Sequence, residues 1–134
     1  GPDESYPDRL GAQTLGYWSS RVTEQYHPFA RPQDHGAHQQ TRSFQLTGTD
    51  GLGAAFHLPR PLSVTVRPHH DGALAAADTT AQLHPSATTE VHIDAAIRGV
   101  GTGACGPDVL APYIVRPGVY SFTWEVRAPD PEIG

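Results

Sequence analysis

The sequence predicts an all-β fold, built as an antiparallel sandwich. The first observation is that 13 prolines and 14 glycines are spread along the 134 residues, which leaves little room for long helices. The second is that short runs of alternating apolar and polar residues recur roughly every 8–12 residues. The third is that turn-forming residues separate these runs, as is typical of sandwiches.

Eight segments have the alternation of a β-strand. In chain order they are residues 15–22, 41–47, 53–58, 62–67, 79–84, 90–94, 113–115 and 119–127. The last is the clearest, because its aromatic residues all fall on one face. The sequence PRP at 59–61 predicts a turn. Residues 71–77 alone predict a helix, about two turns long, with Asp71 as its N-cap.

The composition excludes several functions. A net charge of -5 argues against non-specific nucleic-acid binding, which needs a basic face. Lysine is absent, so Schiff-base and P-loop lysine chemistry are excluded. No apolar run approaches the roughly 20 residues of a membrane span. One cysteine cannot form an internal disulfide, so a reducing cytoplasm is expected. Methionine is absent even at position 1, and we expect a piece of a longer protein.

The only cysteine lies in a glycine-rich segment, RGVGTGACGP at residues 98–107. This segment has the GxGxxA spacing of dinucleotide-binding loops, but that fingerprint needs a helix starting inside the motif. Pro107 prevents such a helix. No neighbour in sequence supplies an activating base for Cys105, so a nucleophilic role is disfavoured. The segment is interpreted as a loop whose glycines allow unusual backbone angles.

Metal and hydrolase motifs are also missing. Eight histidines occur, but none has HExxH or CxxC-like spacing. His35 and His38 lie in a long polar loop, residues 23–40, where a structural role is favoured over a metal site. No GxSxG elbow and no recognisable carboxylate pair are present. The sequence therefore predicts no metal site and no catalytic residue in this chain.

Five segments in order carry a resemblance to a known family. They read GPDESYPDR, QYHPFARPQDHGAH, PLSVTV, HIDAAIRGVGTGACGP and YIVRPGVYSFTW. In this order and spacing the chain resembles the C-terminal small-chain domain of bacterial β-galactosidases of glycoside hydrolase family 2. The resemblance covers residues 1–128 and leaves 129–134 as a C-terminal tail.

The resemblance implies a galactose-mutarotase-like antiparallel super-sandwich, of which this chain would be the C-terminal half. It implies retaining hydrolysis of terminal β-D-galactosides such as lactose, by catalytic glutamates on an upstream TIM barrel. The implied partners are that barrel, the N-terminal half of the sandwich and the galactoside. The implied parent enzyme is cytoplasmic and homo-oligomeric. No cofactor is expected in this chain, while Mg²⁺ and Na⁺ would be held by upstream residues.

The resemblance also implies one active-site loop. Cys105, with Gly103 and Ala104, matches a substrate-facing loop that carries a tryptophan in well-known members and is one residue longer there. A thiol offers less stacking area than an indole, so weaker aglycone binding is expected. Asp94 and Arg98 are expected to hold this loop or to form a strand-end salt bridge. The alternative for Cys105 is a buried, gap-filling residue.

Other matched residues are expected to be structural. Tyr6, Asp8 and Arg9 would tie their segment to neighbouring elements through an ion pair and hydrogen bonds. Two rival functions stay open. A mutarotase-like aldose epimerase would use His92 and Glu90, which alternation places on one strand face. A stand-alone carbohydrate-binding module would use an aromatic platform drawn from Tyr17, Trp18, Tyr26 and Phe29.

Overall fold

The computed structural model describes residues 1–101 and 106–130. They form one antiparallel sheet of four strands. The strands are β1 (Ala37–Thr47), β2 (Gly53–Arg67), β3 (Glu90–Asp94) and β4 (Glu125–Arg127). β1 lies along one edge of β2, while β3 and β4 pair with opposite ends of its other edge. The sheet and the small helical content confirm the all-β class as a sandwich fragment.

Helical structure is confined to short segments. The α-helix α1 spans Asp71–Ala76, and single 3₁₀ turns span Val22–Gln25, Thr80–Gln82 and Ala111–Tyr113. The helix prediction is confirmed to within one residue, but His70 rather than Asp71 is the N-cap. Within the described residues, no helix is both long and apolar enough to cross a membrane.

β2 continues through both of its prolines. Thr41 pairs with Leu62 and Ser43 pairs with His57, so residues 58–61 of β2 lie opposite the single residue Arg42. This bulge removes the need for backbone donors at the prolines, which have none. The predicted turn at 59–61 is therefore wrong, and the two short strands predicted on either side of it are one long strand.

The two faces of the sheet differ in chemistry because side chains alternate along each strand. The apolar face has Leu58, Leu62 and Val64 at its centre, with Phe44, Val66 and Ile93 packed against them. The opposite face carries polar residues of β2 and their β3 partners: Ser63 with Asp94, Thr65 with His92, and Arg67 with Glu90. The alternation of β3 was predicted correctly, and it places Glu90, His92 and Asp94 together on the polar face.

Four of the predicted strands are wrong in whole or in part. Residues 15–22 form no strand, and residues 79–84 and 113–115 contain 3₁₀ turns instead. Of residues 119–127, only Glu125–Arg127 pair with β2. Alternation indicates that a segment has an apolar side to bury, but a strand also needs a neighbouring edge to pair with.

Candidate functional site

The glycine-rich segment leaves the sheet after β3, and two contacts join its ends. The backbone N–H of Gly99 donates a hydrogen bond to the Tyr113 carbonyl oxygen, 3.0 Å away. The Arg98 guanidinium donates to the Asp108 carboxylate, and this bond holds the pKa of Asp108 below its usual value. The base of the loop is thus closed by one backbone bond and one exposed ion pair.

A third contact comes from the start of the chain. The Asp8 carboxylate accepts hydrogen bonds from two successive backbone N–H groups, Val100 at 3.1 Å and Gly101 at 2.8 Å. A Cβ on buried Gly99 would lie only 2.6 Å from the carboxylate carbon and from one carboxylate oxygen of Asp8, which is too close for a side chain. Glycine is therefore required at position 99 by the close approach of Asp8.

Asp8 is itself held by its own segment. The Glu4 carboxylate accepts hydrogen bonds from the Gly36 N–H at 2.9 Å and from Arg9 at 3.1 Å. Tyr6 is 1% exposed, and its carbonyl accepts the Arg9 N–H. The internal ion pair is therefore confirmed, and Glu4 and Asp8 form bonds to neighbouring elements, while the bonds of Arg9 and of the Tyr6 carbonyl lie within the segment.

The predicted site residues fall in three places. Gly103, Ala104 and Cys105 lie outside the described residues. Arg98 is at the base of the loop, where its partner is Asp108. Asp94 does not hold the loop through an ion pair in the described structure, and instead lines a polar cleft on the sheet.

Sequence reasoning missed that Asp8 contacts the loop, because some 90 residues separate the partners. The YPDR motif was the only signal available.

The polar cleft is centred on a buried arginine. It encloses about 290 Å³ and is lined by Asp34, Thr65, Arg67, Asp71, His92, Asp94 and Ile97. The Arg67 side chain is 1% exposed, and its guanidinium donates to the carboxylates of Asp34 and Asp71. A buried guanidinium needs such partners, because an unpaired charge away from water is very costly.

The pKa values of two carboxyl groups of β3 are shifted in opposite directions. Burial raises the pKa of Glu90, but hydrogen bonds from His92 at 2.7 Å, from His70 and from the Asp71 N–H outweigh it and lower the pKa to about 2. Burial raises the pKa of Asp94 above its usual value. Glu90 is consequently a fixed anion, while Asp94 holds its proton more readily than an ordinary aspartate.

Asp71, Glu90 and His92 also place one ligand atom each within 4.8 Å of the others, as a metal site would. The Arg67 Nη2 atom lies against the same three residues. It donates to Asp71 Oδ1 and lies 3.3 Å from His92 Nε2 and 3.7 Å from Glu90 Oε1. The guanidinium thus occupies the position that a cation would take, and the group is an ion-pair network.

The two loop histidines have separate surroundings. His38 Nε2 lies 2.6 Å from Gln25 Oε1, whereas the fully buried His35 packs edge-on against Tyr26 and His69. Burial lowers the pKa of His35 and of His69, which favours the neutral form of both rings. Tyr26 is engaged in this cluster, while Trp18 lies against Gly1 and Gly16. These two members of the suggested aromatic platform therefore pack against different neighbours.

The sequence of this chain is similar to those of known proteins. Residues 1–126 match the family model described as the beta-galactosidase small chain. The chain is 32% identical over 134 residues to the beta-galactosidase of Arthrobacter sp. (strain B7), covering 96% of this chain and 13% of that protein. It is 30% identical over 125 residues to the beta-galactosidase of Lactococcus lactis, covering 91% and 12% respectively.

The similarity extends beyond bacteria. The beta-galactosidase of the yeast Kluyveromyces lactis is 29% identical over 130 residues, covering 94% of this chain and 12% of that protein. The chain spans about an eighth of the length of these relatives. The family match covers nearly the whole chain, and the chain belongs to the β-galactosidase small-chain family.

Proposed function

We propose that this chain is the non-catalytic, C-terminal part of the small-chain sandwich of a β-galactosidase that hydrolyses terminal β-D-galactosides such as lactose with retention. Its glycine-rich loop, residues 98–107, contributes to the wall of the active site. The catalytic glutamates belong to an upstream barrel, and the N-terminal half of the sandwich packs against this sheet. The enzyme that contains this chain, called the parent enzyme below, is a cytoplasmic homo-oligomer.

The observation that carries the proposal is the family match over residues 1–126 of a chain that spans about an eighth of its relatives. Such a chain is expected to work as a part of a larger enzyme. The cleft chemistry agrees with a non-catalytic part. Arg67, His70 and His92 hold the carboxylates of Asp71 and Glu90, and a fixed anion with a pKa of about 2 is a poor general acid.

The loop is well suited to shape a site because its base is fixed. Gly99 is bound to Tyr113, and Arg98 is paired with Asp108. A loop on a rigid sheet can place its tip against a ligand at little entropic cost. In this role Cys105 would face the aglycone, and its small side chain would give loose contact with the second sugar of lactose.

The test is Cys105→Trp in the parent enzyme, which supplies the indole that the thiol lacks. We expect tighter binding of glucose as an acceptor, because an indole stacks on sugar rings. The ratio of transglycosylation to hydrolysis should change as a result. Leu52→Trp is the control, since Leu52 is 73% exposed in the turn between β1 and β2. A transglycosylation ratio that matches that of the control would contradict the loop's role.

One observation favours a second candidate, a mutarotase-like aldose epimerase. His92 and Glu90 are in contact at 2.7 Å, and Asp94 on the same strand face has a raised pKa. Groups with oppositely shifted pKa values are a feature of acid–base sites. Polarimetry of freshly dissolved α-D-galactose tests this candidate. Faster mutarotation that is lost in His92→Ala would support it, and a rate equal to buffer alone would exclude it.

A further inference from the structure

We infer that Asp8 is the positioning residue of the glycine-rich loop: its carboxylate fixes the backbone of residues 99–101 and thereby the path by which the loop enters the active-site wall. The inference rests on the proposed function, because the loop's role is part of that proposal. It adds a residue from the opposite end of the chain that sets aglycone binding without touching substrate.

The geometry is that of a two-point clamp. The oxygens Oδ1 and Oδ2 of Asp8 each accept one backbone N–H, from Val100 and Gly101 respectively. Hydrogen bonds to an ionised acceptor are about twice as strong as neutral ones. Two such bonds on consecutive residues fix both the position and the direction of the chain. A single bond, or an unpaired loop end, would leave the direction free.

The contact with Asp8 also explains why positions 99 and 101 are glycines. A Cβ on Gly99 would lie 2.6 Å from Asp8 Cγ, and a Cβ on Gly101 would lie 2.9 Å from Asp8 Oδ2. Neither glycine has a positive φ among the described backbone angles. The small side chain is needed at these positions because a carboxylate fills the space, so residues 8, 99 and 101 form one unit.

Asp8 is committed to this contact. Within residues 1–101 and 106–130 its carboxylate forms no ion pair, and its hydrogen bonds go to the loop amides. The neighbouring charges, Glu4 and Arg9, are paired with each other at 3.1 Å. The Glu4–Arg9 ion pair therefore stabilises the segment around Asp8, and the Asp8 carboxylate is left to bind the loop.

The test uses Asp8→Asn in the parent enzyme, a change that keeps the side-chain shape but leaves only one oxygen acceptor. We expect amide exchange at Val100 and Gly101 to quicken about 10-fold or more. KM for lactose should rise about 3- to 10-fold, while kcat for a nitrophenyl galactoside stays within about 2-fold, because a small shift of a positioning loop weakens aglycone contact.

Asp50→Asn is the matched control. The Asp50 carboxylate also accepts a backbone N–H, that of Leu52 at 3.0 Å, but in the turn between β1 and β2. Asp50→Asn should change neither loop exchange nor KM. Unchanged exchange at Val100 and Gly101 in Asp8→Asn would overturn the clamp, whatever the loop does in catalysis.

A coupling test guards against a variant that merely unfolds. Gly99→Ala should loosen the loop because its Cβ displaces the Asp8 carboxylate. Asp8→Ala with Gly99→Ala should then be no worse than Asp8→Ala alone, and additive losses would overturn the inference.

Failure of the proposed function is separable from failure of this inference. If Cys105→Trp alters acceptor use and Asp8→Asn leaves KM unchanged, the inference is wrong and the loop's role stands. If neither variant alters acceptor use or KM, the role of the loop falls, and the inference falls with it.

Discussion

At the scale of single residues, Arg67 does more than any other side chain to organise the polar face. It is fully buried on β2 and pairs with Asp34 and Asp71, while Glu90 lies 3.7 Å away. Its single positive charge lies against three carboxylates and offsets part of their mutual repulsion in a half-buried cleft. Removing one partner of such a network leaves the other charges uncompensated, which is usually strongly destabilising.

We therefore expect Arg67→Met in the parent enzyme to lower the local opening free energy of β2 and β3 by about 3 kcal/mol. Amide exchange of peptides that cover the two strands measures it. Arg127→Met is the control, because the Arg127–Glu125 pair is exposed on both sides and should cost under about 0.5 kcal/mol. Equal effects of the two variants on the opening free energy would show that the ion pairs of Arg67 do not stabilise the cleft.

Glu90 makes the same face sensitive to acid. Its pKa is about 2 in the folded protein, well below the ordinary value of 4.5, so the stability it contributes is fully present above about pH 4.5 and is lost as the pH falls toward 2. The loss is of order 3 kcal/mol at most. Exchange of β3 amides, corrected for intrinsic rates, should show this loss growing as the pH falls from about 4.5 toward 2, and Glu90→Gln should remove it. A wild-type profile in Glu90→Gln would contradict the assignment.

At the scale of elements, β1 contains an irregularity that predicts an unusual mutational pattern. His38 pairs with Val64 and Thr41 with Leu62, so two residues of β1 lie opposite Ser63 alone. Gln40, one of them, has a φ of 61°. A left-handed backbone costs an ordinary residue roughly 1–2 kcal/mol and costs glycine almost nothing.

Gln40→Gly should thus match or exceed the wild-type stability of the β1–β2 pair, whereas Gln40→Val should lower it by about 1–2 kcal/mol. Gln40 is exposed, so neither change disturbs packing. Amide exchange across β1 and β2 distinguishes the variants. Equal stability of the glycine and valine variants would mean that the positive φ is not enforced by the bulge.

The same bulges explain how much of the sheet the sequence could predict. Residues 90–94 and 41–47 were identified because strict alternation sets their faces. The continuity of β2 through Pro59 and Pro61 was not, because a proline looks the same in a turn and in a bulge. Residues 119–124 alternate strongly yet do not pair, and only three-dimensional placement decides whether an edge is available.

At the scale of the whole molecule, the C-terminal segment exposes many large apolar side chains. Large apolar side chains from the C-terminal segment are at least about one-third exposed: Leu110, Val119, Tyr120, Phe122, Trp124 and Val126. Trp124 lies beside Phe56, which stacks on Phe44 at 4.4 Å, so at Trp124 this segment adjoins the apolar face of the sheet. Exposed apolar surface of this extent is typical of an interface.

We expect the 134-residue chain on its own to self-associate, because nothing in residues 1–101 and 106–130 covers these apolar side chains. Analytical sedimentation should show species larger than a monomer, and replacing Tyr120, Phe122 and Trp124 by serine should reduce the association. A monomeric chain with a sharp, cooperative thermal transition would count against the half-sandwich interpretation.

The candidate site was predictable only in part. Arg98 was placed beside the glycine-rich segment, where the structure pairs it with Asp108, and the role of the loop in an active site stays a prediction. The contribution of Asp8 was not, because it depends on a contact between residues about 90 positions apart. Asp94 was placed at the loop by its position in sequence, but the pleat of β3 turns it into the Arg67 cleft.

We propose, as the central point, that this chain completes a β-galactosidase that cannot work without it. The most direct measurement is nitrophenyl-galactoside hydrolysis by the parent enzyme truncated before Gly1, with and without the 134-residue chain co-expressed as a separate piece. We predict that the truncated enzyme and the chain are each inactive and that together they recover activity. Full activity of the truncated enzyme alone, or turnover by the chain alone, would contradict the account.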